Sequence, residues 1–232
     1  MTPLAVTFLR LVSTRIDGSW LAPTVGFLDE RMEQDGGHDF GHLWRVLANA
    51  RRIYDSERAA APHADISWDA IAAAVLLHDV VNMPKNHPER HLASARSAQL
   101  AAEFLASCPG FAARDVERSA EAIRVHSFSA GLVAESAEAR IVTDADRLES
   151  IGAFAIARTF YVSGAMGRAI TDLEDPFAQR RDLDDRAFGV DHFYTKLLRL
   201  KERLYTPTAR ALAQARHALM ESFLAGLRDE LP

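Results

Sequence analysis

Apolar positions recur along this chain at steps of three and four, and no stretch alternates convincingly in the manner of a strand. Leu4 to Arg15 is moderately amphipathic, and Trp20 to Met32 follows Gly18 and Ser19 as a second helix. Asp35-Gly36-Gly37 breaks the chain. A helix beginning near His38 or Asp39 then carries Leu43, Val46, Leu47, Ala50 and Ile53, with His42 one turn before Val46 and so facing inward. Ser67 suits the N-cap of a helix through Ala70 to Asp79. Pro84 and Pro88 mark the break after it, and Pro88 fits the first turn of a helix through Leu92, Leu100 and Phe104, which Cys108-Pro109-Gly110 ends. Another helix bears Val116, Ala120 and Ile123 and finishes close to His126.

After a turn at Gly131, Glu138 to Val162 reads as one long helix, with Ile141, Ala145, Leu148 and Gly152 on one stripe and Asp146 on its flank. Ser163 to Gly189 has no clean period and is rich in Asp, Arg and Gly; loops of that length are usually functional or disordered. Asp191 to Leu204 is helical again, and Thr206-Pro207 opens a last amphipathic helix through Leu212, Ala215, Leu219, Phe223 and Leu227. No internal repeat or domain linker interrupts the pattern. The expectation is all-α: a single domain over residues 1–232, built as a helical bundle with additional N- and C-terminal helices.

Composition narrows the function. With 232 residues the chain can bury a sizeable core. Its net charge of −5 rests on interspersed signs with no basic stripe, which argues against a nucleic-acid duplex as partner but not against a phosphorylated small molecule. The single Cys108 excludes an internal disulfide and fits a reducing cytosol. The N-terminus has no charged segment leading into an uninterrupted apolar stretch, and no apolar run approaches a membrane span. The expectation is a cytoplasmic protein with no membrane partner.

The chemistry concentrates at Leu76-Leu77-His78-Asp79, where a buried-looking run (Ile71, Ala72, Ala73, Ala74, Val75) ends in adjacent histidine and aspartate. A carboxylate beside such a run is costly unless paired, and a cation is the usual partner; the imidazole offers a second, neutral ligand. Neighbouring helical side chains point about 100° apart, so other helices must complete a site. His42 and Asp146 lie on two such helices, each near the edge of an apolar face. Two imidazoles and two carboxylates suit Mn²⁺, Mg²⁺, Fe²⁺ or Zn²⁺, with positions left for water and a phosphate.

The order His42 … His78-Asp79 … Asp146, in the contexts His42-Leu-Trp-Arg-Val46, Leu76-Leu-His-Asp79 and Asp144-Ala-Asp-Arg-Leu148, resembles the HD-domain metal-dependent phosphohydrolase superfamily. Pro84-Lys-Asn-His-Pro88, His126-Ser-Phe-Ser129, Phe160-Tyr-Val-Ser-Gly164 and Asp175-Pro-Phe177 resemble its bacterial YedJ-like branch. The resemblance implies metal ligation by His42, His78, Asp79 and Asp146. It selects Asp146 over Asp144, because the last ligand is followed by a basic or polar residue and then an apolar one; helix geometry says only that one of the two faces the seam. It further implies one divalent ion (Mn²⁺ or Mg²⁺ foremost; Fe, Co, Ni or Zn as other choices) and a nucleotide, in particular a nucleoside triphosphate, as substrate. The metal-binding core would span about 37–165, with C-terminal helices over 191–230 packing on it, and a homodimer is compatible with it.

Around these ligands each residue has a plainer reading. His38 either caps and faces solvent or lines the pocket beside substrate, and Asp39 is a helix N-terminal carboxylate favoured by the dipole. His126 is a helix C-terminal cap or, as taken here, a pocket residue that touches phosphate. Lys85, Asn86, His87, Arg90 and His91 are dense in positive and donor groups and read either as a phosphate-binding lip, with Lys85 and His87 its best candidates, or as a solvated loop before the Pro88 helix start, a reading that suits Glu89 and extends to Arg90. Arg147 binds substrate or pairs with Glu149 at the surface. His78 and Asp79 take part in catalysis through the ion, and the proton acceptor is His87 or Asp144, the latter also placed to orient a metal-bound histidine. Alternatives to nucleotide hydrolysis are a phosphomonoesterase, a cyclic-nucleotide phosphodiesterase, or a non-catalytic ligand-sensing module, which would be expected to have lost a ligand. An HD-type di-iron oxygenase would need more histidines than the interval before Asp146 offers.

Overall fold

A computed structural model describes residues 1–32, 39–83, 87–127 and 130–231. Among them there is no strand, only one isolated bridge between Ala169 and Phe188, and the architecture is all-α as expected. The chain forms two compact units, Met1–Asp146 and Arg147–Pro232.

The first unit is organised around α4 (Trp68–Leu77). Every residue from Ala70 to Leu77 is buried, so the helix has no solvent face, which is what an apolar run without period dictates. Ser67 caps it as its sequence suggests, its hydroxyl accepting from the Ala70 N–H at 3.2 Å. Four helices pack on it: α2 (Leu21–Asp29), α3 (Phe40–Ala60), α5 (Ala93–Ser107) and α6 (Ala113–His126). The amphipathic α1 (Pro3–Val12) lies against α2 and α3. Asp39 caps α3, accepting from the His42 N–H at 2.7 Å. Between α4 and α5 the chain forms a 3₁₀ turn at Arg90–Leu92 rather than a helix running directly from Pro88. The helix α7 (Ala137–Glu149) carries the end of this unit, and Asn49 of α3 donates to the Ala145 carbonyl at 3.1 Å.

The long helix expected over Glu138 to Val162 is two, α7 and α8 (Ala153–Ala165). The break is at Gly152, whose φ of +103° no helix can accommodate; a Cβ there would come within 3.0 Å of Arg216 Cβ. Gly152 sits on the apolar stripe and so reads as a small helical residue.

In the second unit, Asp191 to Leu204 resolves into a short α9 (Asp191–Thr195) and a 3₁₀ segment (Leu197–Arg203). Thr206 and Pro207 open α10 (Pro207–Asp229) as predicted, the Thr206 hydroxyl accepting from the Ala209 N–H. Phe160, Phe193 and Phe223 form an aromatic cluster. The segment before α9 is ordered by its own acidic residues. Asp175 accepts from the N–H groups of Gln179, Arg180 and Arg181, and Arg181 forks onto the buried Asp191 at 2.5 and 2.8 Å.

Candidate metal centre

Four side chains from three helices converge within the first unit. His42 comes from the first turns of α3, His78 and Asp79 follow the last residue of α4, and Asp146 comes from α7. The Nε2 atoms of His42 and His78 are 3.2 Å apart. Asp79 Oδ2 is 3.2 Å from His78 Nε2 and 4.0 Å from His42 Nε2. Asp146 Oδ1 is 3.7 Å from His42 Nε2 and 3.8 Å from His78 Nε2. Metal–ligand bonds of about 2.0–2.2 Å separate neighbouring donors by about 3 to 4 Å, so the spacing is that of a shell around one cation.

Local hydrogen bonding sets the imidazole up for this role. His78 Nδ1 lies 2.8 Å from the Val75 carbonyl, one turn back, so Nδ1 carries the proton and Nε2 presents a lone pair to the cluster. His126 repeats the device, with Nδ1 2.6 Å from the Ile123 carbonyl. Two imidazole Nε2 atoms at 3.2 Å are tenable only with a proton or a cation between them. Electrostatics agrees. Burial alone would depress the His78 pKa, but the Asp79 carboxylate against it, and Asp146 beyond, push it up to about 9. Burial works against Asp79 and Asp146 as well. The surrounding imidazoles, His78 above all, still hold Asp146 below the usual carboxylate value and Asp79 well below it. The two carboxylates therefore favour positive charge at the cluster, whether a proton on His78 or a cation. A bound cation would replace that proton. Asp79 and Asp146 leave 27 % and 26 % of their side-chain surface open, whereas His42 and His78 are buried, so any further ligand enters from the carboxylate side.

His126 joins the cluster. Its Nε2 is 3.8 Å from Asp79 Oδ1, the oxygen that does not face His42 and His78. Two groups with metal-holding geometry result: His42, His78 and Asp146, and His78, Asp79 and His126. The Nδ1 contact with the Ile123 carbonyl lies within the last turn of α6, and Nε2 is turned toward Asp79.

The other sequence candidates are placed as follows. His38 and Lys85 lie outside the described residues. His87 is exposed, its Nδ1 accepting from the Glu89 N–H at 3.1 Å. Asp144 is fully buried on α7, two residues from the ligand position. Arg147, in the second unit, donates to the Arg203 carbonyl and lies over the Tyr205 ring at 5.4 Å; Glu149 pairs instead with Arg158 at 2.5 Å. Arg90, which the sequence left between a phosphate-binding lip and a solvated loop, is half-buried and lines a recess beside Asp79 and His126 together with Ser94.

The HD-domain family model matches residues 39–151, a span that contains His42, His78, Asp79 and Asp146. YpgQ of Bacillus subtilis, described as uncharacterized, is 32 % identical over 204 residues, covering 86 % of this chain and 87 % of that one. The crystal structure of YpgQ in complex with ADP has a TM-score of 0.63 at 29 % identity, over 92 % of this chain and 97 % of that chain. A Lactobacillus plantarum structure has a TM-score of 0.67 at 30 % identity, over 99 % and 98 % of the two chains. An HD-superfamily hydrolase from Bacillus thuringiensis follows at 0.63 and 25 %, over 97 % and 95 %. The chain belongs to the HD-domain phosphohydrolase superfamily.

Proposed function

We propose that this protein hydrolyses a small phosphate ester or anhydride with one divalent cation, Mn²⁺ or Mg²⁺ foremost, and that its substrate is a nucleotide. The observation that carries this reading is the convergence of His42, His78, Asp79 and Asp146 at 3.2–4.0 Å, with the carboxylates on the open side. A divalent ion held there lowers the pKa of a bound water and neutralises charge on phosphate oxygens. His42 and His78 supply buried neutral donors, fixed in direction by their helices. Asp79 and Asp146 supply negative charge and border the approach. Asp144 and His87 remain the groups to test as proton acceptors, the first buried on α7 and the second exposed.

Support for a nucleotide comes from YpgQ, which was crystallised with ADP, and from a net charge that disfavours large polyanions. The single buried thiol of Cys108 fits a cytoplasmic setting, and no helix among the described residues is long and apolar enough to cross a membrane. His126 either completes the shell of the same ion or, through Asp79, shares in a second one; the molar ratio of bound Mn²⁺ to protein decides between them.

The test is a panel of nucleoside mono-, di-, tri- and cyclic phosphates with Mn²⁺, Mg²⁺, Co²⁺ and Zn²⁺, run beside Asp79→Ala. Metal-dependent turnover that falls at least about a hundredfold in the variant is the expected result. Turnover indifferent to the substitution, or none with any metal, overturns the reading. Product analysis separates anhydride cleavage from phosphomonoesterase and cyclic phosphodiesterase activity.

A further inference from the structure

His42 and Asp146 come from helices that are not one another's main neighbours, for α3 packs chiefly on α4 and α1. Yet the His42 Nε2 and the Asp146 Oδ1 of α7 lie 3.7 Å apart. The register of α3 against α7 therefore depends on side chains that bridge them, and one does so right beside the ligand. Asn49, buried on α3, donates from Nδ2 at 3.1 Å to the carbonyl of Ala145, the residue immediately before Asp146. Only the amide nitrogen can serve there, since a carbonyl accepts and does not donate. Asn49 follows His42 by seven residues, two turns on and within about 20° of it around the helix. One face of α3 thus carries a ligand and also the group that grips the backbone next to another. His42, Val46, Asn49 and Ile53 follow one another at steps of four, three and four, and all are buried. That is the spacing of a packing seam. An asparagine inside such a seam weakens it relative to an apolar side chain, and the best-attested use of one is to admit a single register between helices.

We infer that Asn49 is a positioning residue of the metal centre: by gripping the Ala145 carbonyl it fixes α7 against α3 and holds the Asp146 carboxylate within coordinating reach of the ion that His42 binds. The inference rests on reading the cluster as a metal site. Asn49 acts on the ion through Asp146, not by ligation. A slip of α7 by one residue would carry Asp146 about 1.5 Å along the axis and turn it by about 100°, enough to take its carboxylate out of the cage. Coordination bonds tolerate only about 0.2 Å of error, so a cage held loosely binds its ion more weakly.

Isothermal titration of the metal-free protein with Mn²⁺, beside the visible absorption spectrum of the Co²⁺-loaded protein, tests it without recourse to turnover. Asn49→Leu makes the position apolar, and Asn49→Ala removes the amide without adding bulk. Both are compared with the native protein and with Asp146→Ala, and circular dichroism checks that each is folded. The Asn49 variants are expected to bind Mn²⁺ about three- to tenfold more weakly, below the loss for a group bonded to a ligand side chain itself. Their Co²⁺ bands should shift in position or intensity, because those bands follow coordination geometry. A lower melting temperature with Mn²⁺ affinity and Co²⁺ bands unchanged would mean that Asn49 only holds helices together, and overturns the inference. Mn²⁺ binding that is lost in Asp146→Ala but unmoved in both Asn49 variants overturns it too, and leaves the metal centre intact. A native protein that takes up neither Mn²⁺ nor Co²⁺ brings down the metal centre and this inference together. Asn49-dependent Mn²⁺ binding by a protein that turns over nothing in the nucleotide panel would sink the proposed function and leave the role of Asn49 standing.

Discussion

At the scale of single residues, the centre is set by which atom each side chain turns inward. The Val75 carbonyl fixes the tautomer of His78, and the same one-turn contact fixes His126. Asp144 and Asp146 differ in a way that periodicity could not resolve: both lie near one stripe of α7, yet only Asp146 is in the cage, 3.7 Å from His42. Asp146→Ala should therefore lower Mn²⁺ affinity at least about a hundredfold by calorimetry, with a smaller loss for Asp144→Ala if that carboxylate acts through a ligand.

A second residue-scale prediction concerns pH. Burial works against the Asp185 carboxylate, but the hydrogen bond to His192 at 2.8 Å, and one from Thr195, hold its pKa below the ordinary 3.8. A carboxylate with a lowered folded-state pKa adds stability that is fully present above its unfolded value and fades as pH falls through the lowered one. Asp185→Asn should thus melt below the native protein at pH 7, and the two melting temperatures should converge in acid. A gap that persists unchanged below pH 3 would contradict this origin, as followed by circular dichroism.

At the scale of elements, local chemistry was legible wherever a cap or a breaker acted within a few residues. Asp39, Ser67 and Thr206 each cap the helix that the sequence assigned them. Thr206→Ala should cost about 1 kcal/mol in urea unfolding, since one N–H loses its acceptor. The failures were of another kind. The run from Glu138 to Val162 kept its apolar period straight through Gly152, and nothing local reveals that the chain turns there to a positive φ against Arg216. Gly152→Ala would impose a Cβ on both a left-handed backbone and the Arg216 side chain. A loss greater than about 1 kcal/mol is expected, where the same change in a helix interior would stabilise. Likewise Asp191 to Leu204 has helical spacing but tightens into a 3₁₀ segment, a distinction the period alone does not carry.

At the scale of the whole molecule, every candidate ligand belongs to the unit Met1–Asp146. Metal binding should therefore stabilise that unit by mass action, about 2.7 kcal/mol at a free concentration a hundred times the dissociation constant. Calorimetric scans with Mn²⁺ and with chelator should differ accordingly, and the difference should vanish in Asp146→Ala. An unchanged scan would mean that no such site forms. The helix that ends in His78 and Asp79 has one more consequence. Because no row of α4 faces water, it has no position where a change could be absorbed harmlessly. Trimming Ile71 to alanine would cost about 2 to 5 kcal/mol and jostle the two ligands a turn or two downstream. Variation that retunes the chemistry proposed for this protein should therefore collect on the surrounding helices and turns, while the rod at the centre stays nearly frozen in any functional library.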